Sequence, residues 1–254
     1  MACNHSVSEC ADVKEMCRNR YVYGKLLDVH HFELEQNYFN AKRFLINRTI
    51  VGYGVVCGLN VEARPGGTGV IVRPGFAIDK WGREILVPDS TTVVLPPKPE
   101  PPKDKPNNEP CDDDWVHLCL CYHECLSDPE PVLGAGCDDG DACTPGTICE
   151  RFEFGYKDGK LPDVDPDCSI PDLVSGGRLN YPAFANYVSG KCLDCADEPC
   201  IPLANIRLID DPKQFGPEHI NIAIRPIVYT NDLLYELLIC LGARNRQQEW
   251  RGKN

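Results

Sequence analysis

Residues 115–125, WVHLCLCYHEC, concentrate five potential soft ligands in one short stretch. As a strand, this stretch turns Val116, Leu118, Leu120 and Tyr122 to one side and His117, Cys119, Cys121, His123 and Cys125 to the other. Thiolates and imidazoles are the ligands of a structural zinc, which takes four of them in a tetrahedron, usually as two Cys-x-x-Cys knuckles. One such knuckle is present, Cys192 to Cys195, and Cys200 follows it. The second pair would have to come from Cys119, Cys121, His123 or Cys125. Cys-x-Cys on a strand splays its side chains by roughly 6.5–7 Å, two residue rises, so one metal spans them poorly. The chain has 16 cysteines, an even number, which suits disulfides clamping long loops. Each such bridge is worth about 2–4 kcal/mol. Disulfides are the favoured reading of the cysteines, structural zinc is the alternative, and no other cofactor is expected.

Other chemistries find less to stand on. Asp138, Asp139 and Asp141, or Asp163, Asp165 and Asp167, resemble the start of a calcium loop, but the glycine at position six and the glutamate at position twelve do not follow. There is no C-x-x-C-H for haem, and Cys192–Cys195 lacks the βαβ frame of a thioredoxin-like redox pair. G-x-S-x-G, H-E-x-x-H and Walker patterns are absent. Asp79 and Glu84 read as surface carboxylates balanced by Lys80 and Arg83. No catalytic residue is assigned, and the protein is expected not to be an enzyme.

The elements that position these residues can be read along the chain. Cys3, Cys10 and Cys17 recur at seven, as on one side of a loose N-terminal helix or arm. Asp28 caps a helix expected from about His30 to Arg48. Phe32, Phe39 and Ile46 recur at seven along it, beside Leu34, Tyr38, Ala41 and Leu45 at three-four spacing. Such a face covers a sheet or packs against symmetry mates. Past Gly52, Gly54 and Gly58 the period drops to two. Short strands follow at Leu59–Ala63, Val70–Val72, Phe76–Ile78, Ile85–Val87 and Val93–Leu95, with a hairpin tip at Asp79–Gly82.

Residues 96–110, PPKPEPPKDKPNNEP, form a proline-rich linker. After the ligand-rich strand, residues 148–156 read as a strand pairing back on it, and residues 179–188 as a short helix or turn. Residues 203–209 and 220–224 read as two more strands. Thr230 caps a final helix with an apolar stripe of Leu233, Leu234, Leu237, Leu238 and Leu241. Phe32, Tyr38, Phe39, Leu45, Ile46, Leu234 and Leu238 are the candidate assembly-face residues.

The totals agree with a turn-rich, mainly β protein: 21 Gly, 22 Pro and only 2 Met. A net charge of −12 argues against nucleic acid or an anionic membrane as partner. No apolar run is long enough to span a bilayer. The first residues lack the apolar core of a secretory signal, which implies cytoplasmic synthesis and an extracellular life only after release as part of a particle.

The segments YVYGKLL, FELEQNYF with KRFLINR, GYGVVCGLNV, RPGFAID, GREILV and IVYTNDLLYELL resemble an uncharacterised bacterial family. They are also similar in outline to attachment modules of phage tail fibres and baseplates. The resemblance covers roughly residues 20–95 and 200–242. It implies a structural or docking component of a phage-tail-like particle such as a contractile injection system, with itself and other particle proteins as partners. The motif residues are mostly Gly, Pro and apolar types, so the resemblance speaks to fold and brings no catalytic residue.

The expected fold is α+β and mainly β: a small antiparallel sheet or barrel capped by a helix, plus a Cys-rich β region. The expected divisions are an arm at 1–20, an attachment module at 21–95, the linker at 96–110, a Cys-rich loop-dominated region at 111–200, and closing strands with a C-terminal helix at 201–254. Two further functions stay open: an adhesin-like module presenting Cys-stapled loops to a surface glycan or protein, and a zinc-binding protein.

Overall fold

A computed structural model describes residues 10, 16–67, 69–98, 114–131, 143–165, 174–175, 178–190 and 194–251. Cys3, Cys192, most of the proline-rich linker and the Asp138–Asp141 loop lie outside the described residues. The protein is mainly β, and its described residues form three α-helices and small antiparallel sheets. Helix α1 spans Val29–Ile46, and six short strands follow: β1 Gly54–Gly58, β2 Val61–Ala63, β3 Gly69–Val72, β4 Gly75–Ile78, β5 Glu84–Val87 and β6 Thr91–Val94. They form two three-stranded sheets, ordered β1-β4-β5 and β2-β3-β6. The long strands β7 Trp115–Pro131 and β8 Cys143–Asp158 come next. Then come the short pair β9 Val174–Ser175 and β10 Arg178–Leu179, helix α2 Tyr181–Val188, β11 Ile201–Arg207, β12 Ile220–Asn221 and helix α3 Asn231–Arg251. The third large sheet runs β12-β11-β7-β8.

Local chemistry explains the start of α1. The Asp28 carboxylate accepts from the His31 backbone N–H, and the His31 ring returns a bond to the Asp28 N–H. This reciprocal capping box gives His31 a structural task. A π-helical turn, Asn47–Val51, ends the helix. There the Asn47 side-chain amide donates to the Gly82 carbonyl and to Glu84, both at 2.8 Å. The end of α1 thus rests on the β4–β5 hairpin tip. Gly82 has φ +89°, and a Cβ there would lie 2.1 Å from the Phe44 carbonyl oxygen. Only glycine fits both demands. Gly82→Ala is expected to cost about 2–3 kcal/mol, measurable as a lower midpoint in urea unfolding.

The core joins the halves of the chain. Leu59, between β1 and β2, and Val70, Val72, Ile85 and Val87 of the small sheets pack in one cluster with Leu118, Leu120, Leu203 and Ile206 of the large sheet. The module at 21–95 and the region after 111 therefore share one apolar interior. β1 also takes in the segment before α3: Val55 donates to Pro226 and accepts from Val228. β7 and β8 pair far beyond this core, from Val116↔Asp158 out to Pro131↔Cys143. Their distal half is a two-stranded ribbon, a form only marginally stable alone in water.

The two long helices are the exception to this packing. No residue of α1 is buried. The helix meets the small sheets with its last turn, where Arg43 pairs with Glu84 and the Phe44 backbone lies against Gly82. The two apolar sets on α1 lie roughly 130° apart at 100° per residue. Residues 18–21 face the Tyr38 side, where Arg18 stands 6.0 Å over the Tyr38 ring and Tyr21 bonds to Glu35. The Phe32–Phe39–Ile46 side is open, and Phe39 keeps 58% of its surface. On α3, begun by the Thr230 hydroxyl accepting from the Leu233 N–H, Leu238 keeps 70%. The helix runs through to Arg251, past the stripe into the tail. Among the described residues no helix is long and apolar enough to cross a membrane.

Candidate functional site

The alternation of β7 is as expected, but its second face is not open. Val116, Leu118 and Leu120 point into the core, while His117 and Cys119 on the opposite face are also buried. Two straps cover them. The first is 159–165. Its Gly159 carbonyl accepts from His117 Nδ1 at 3.0 Å, and its Leu161 is held by the fully buried Asn205 amide, which accepts from the Leu161 N–H and donates to the Leu161 carbonyl. Both polar atoms of the Asn205 amide thereby have a partner, and the pair of bonds fixes strap to strand.

The second strap is 194–200, and it is fastened from several sides. Cys200 forms a disulfide with Cys121, with Cα atoms 4.5 Å apart. That is the spacing of a non-hydrogen-bonded cross-strand pair. Cys195 forms a disulfide with Cys10 of the N-terminal arm, beside the Arg48 guanidinium. Trp81 Nε1 donates to the Ala196 carbonyl at 2.7 Å, and the Lys80 N–H to the Pro199 carbonyl at 3.1 Å. The Lys157 ammonium of β8 pairs with Glu198. The strap therefore ties the arm, the hairpin tip and the large sheet together.

The sequence candidates are distributed accordingly. Cys121 and Cys200 meet each other, Cys195 meets Cys10, and Cys125 is also disulfide-bonded. His123 is half-buried on the same strand face, opposite Arg151. Cys119 is a buried free thiol, and burial pushes its pKa up despite the nearby Lys157. It is a packing residue, not an activated nucleophile. Cys192 lies outside the described residues. Cys195, the described cysteine of the single knuckle, is already paired with Cys10. Removing the Cys121–Cys200 bridge by Cys121→Ser with Cys200→Ser is expected to cost about 2–4 kcal/mol in guanidinium unfolding under oxidising conditions.

No protein-family model and no curated protein matches this chain.

Two features escaped sequence reasoning. Glu198 stands within 4.8 Å of both the Cys121 and Cys200 sulfurs, all three atoms counted mutually. Burial tends to raise its carboxyl pKa, but the Lys157 ammonium and the Cys200 N–H outweigh this and hold it below the usual range. Its place two residues before Cys200 is the signal that was available. The second feature corrects the surface reading of Asp79, which is fully buried. Its carboxylate accepts from the Trp81 and Arg83 backbone N–H groups at 2.9 Å each and from Arg83 Nε at 2.7 Å. The Arg83 guanidinium lies 4.6 Å from the centres of both the Trp81 and the Tyr122 rings. This pair braces the hairpin tip that carries both α1 and the second strap.

Proposed function

We propose that the protein is a non-enzymatic structural subunit that docks into a multiprotein assembly, and onto copies of itself, through α1 and α3. The observation that carries this reading is the exposure of two regularly spaced apolar stripes. Phe32, Phe39 and Ile46 recur at seven on α1, and Leu234, Leu238 and Leu241 recur at four and three on α3; all six are exposed. These are the spacings of helix-on-helix seams. A helix of 18 residues without one buried side chain has little of the tertiary packing that supplies most helix stability in proteins. A covering partner supplies what is missing. Phage-tail-like particles are the proposed setting, supported by the resemblance of the GYGVVCGLNV, RPGFAID and IVYTNDLLYELL segments. The disulfides suit an oxidising, extracellular location after release.

Hydrogen exchange at two protein concentrations tests the reading. Amides of α1 and α3 are expected to gain protection as concentration rises, while those of β11 stay unchanged. Concentration-independent, fast exchange along both helices would remove the proposal.

The exposed distal ribbon of β7 and β8 favours a second reading, a binding module for a surface glycan or protein. Binding on a glycan or cell-surface array that disappears when ribbon residues 126–148 are replaced by a short turn would support it. Binding that survives the replacement would remove it.

A further inference from the structure

The Cys121–Cys200 bridge and Glu198 form a cluster whose chemistry changes with redox state. We propose that, once a dithiol reductant opens this bridge, the two thiolates and the Glu198 carboxylate hold one thiophilic divalent cation of the zinc class. In the first step the reductant's two S–H groups become its own disulfide, the protein S–S bond breaks, and Cys121 and Cys200 each gain a hydrogen. In the second the cation binds both sulfurs and displaces both protons to solvent.

Geometry supports this because the ligands stay together without the bridge. The Cys121 and Cys200 sulfurs and a Glu198 oxygen already lie within 4.8 Å of one another. Zinc–sulfur bonds of about 2.3 Å in a tetrahedron place two sulfurs about 3.8 Å apart, which side-chain rotation reaches from the bridged position. The backbones are held independently of the disulfide, by the Leu120↔Ile201 pairing of β7 and β11 and by the Lys80–Pro199 and Trp81–Ala196 hydrogen bonds. The Cys200 N–H donates to Glu198 Oε1 at 3.2 Å and orients the carboxylate.

Charge supports it as well. Two thiolates and a carboxylate around a divalent cation sum to −1, and Lys157 stands against the same carboxylate. Cys119 lies on the same strand face but two residue rises away, about 6.5–7 Å, so the fourth position falls to water. In an oxidising compartment the pair is a covalent staple. In a reducing one the cation takes over the same clamp on the second strap, consistent with soft ligands coupling metal binding to folding.

The test uses the full chain, reduced with a phosphine under argon and titrated with cobalt(II). One equivalent is expected to give thiolate-to-cobalt charge-transfer absorption that is absent from the oxidised protein. Cys121→Ser with Cys200→Ser is expected to abolish that absorption, and Glu198→Gln to weaken cobalt binding at least about tenfold, the scale on which metal-site partners act. Reduced wild type without the absorption, a double variant that keeps it, or an unchanged Glu198→Gln variant would overturn the assignment.

Alkylation mapping by mass spectrometry gives an answer even if the reduced chain loosens. With zinc present, Cys121 and Cys200 are expected to resist iodoacetamide while the exposed Cys17, Cys57 and Cys240 react. Equal labelling of all five with and without zinc would overturn the proposal.

Discussion

Replacing Arg83 with methionine is expected to lower unfolding stability by about 3–5 kcal/mol, the cost of breaking a buried pair from one side. Asp79 has no exposed surface, and Arg83 is its cationic partner at 2.7 Å. Methionine fills a similar volume, so packing against Trp81 and Tyr122 is largely kept. What is lost is the charge that compensates the carboxylate, together with two cation–π contacts. Replacing both residues with apolar ones would recover only part of the loss. Asp79 also accepts from the Trp81 and Arg83 backbone N–H groups, and those donors would be orphaned.

The same pair sets a pH dependence. Burial raises the Asp79 carboxyl above its ordinary 3.8, against the pull of Arg83 and the hydrogen bonds it accepts. Without Arg83 it rises further. A carboxyl whose folded pKa is raised favours the protonated folded state, so stability falls as pH climbs from 3.8 through the folded value. The deficit of Arg83→Met relative to wild type is therefore expected to be greatest near neutrality and to narrow as pH is lowered. Urea unfolding of both proteins across a pH series measures it, and a deficit that widened toward acid would contradict the burial argument.

Phe39→Glu or Leu238→Glu is expected to dissociate the assembly while leaving the subunit folded. Each side chain is exposed in the single chain, so its replacement should change subunit stability by no more than about 0.5 kcal/mol. In a helix seam the same change buries an unpaired charge. Central interface positions of this kind cost about 2–4 kcal/mol, roughly 30- to 1000-fold in dissociation constant. Thermal unfolding of the dissociated subunit and light scattering of the assembly separate the two effects. Tyr38 and Leu45 make a useful contrast, since they are half-buried on the other side of α1, where Arg18 and Tyr21 approach. A substitution at Tyr38 should disturb the N-terminal segment before it disturbs assembly.

Features set by neighbours in the chain were legible in the sequence. The Asp28 and Thr230 caps, the hairpin tip at Asp79–Gly82, and the alternation of 115–125 each depend on a few adjacent residues. The features that escaped depend on distant partners. Asp79 looks like any turn aspartate until Tyr122 and Trp81 enclose its arginine. The buried side of His117 and Cys119 is covered by segments forty and eighty residues further on, and no periodicity announces a strap. Disulfide pairing is of the same kind, because Cys10 and Cys195 are 185 residues apart in the chain and meet only in the folded protein. The apolar face of α1 was visible from its spacing, but spacing alone does not distinguish a sheet from another helix as its cover.

Sedimentation equilibrium of the oxidised wild-type chain tests the central claim most directly. A molar mass that is a defined multiple of the chain mass, reduced to that of a single chain by Phe39→Glu or Leu238→Glu, is the predicted result. A wild-type protein that sediments as a single chain at the highest attainable concentration would contradict self-assembly through α1 and α3.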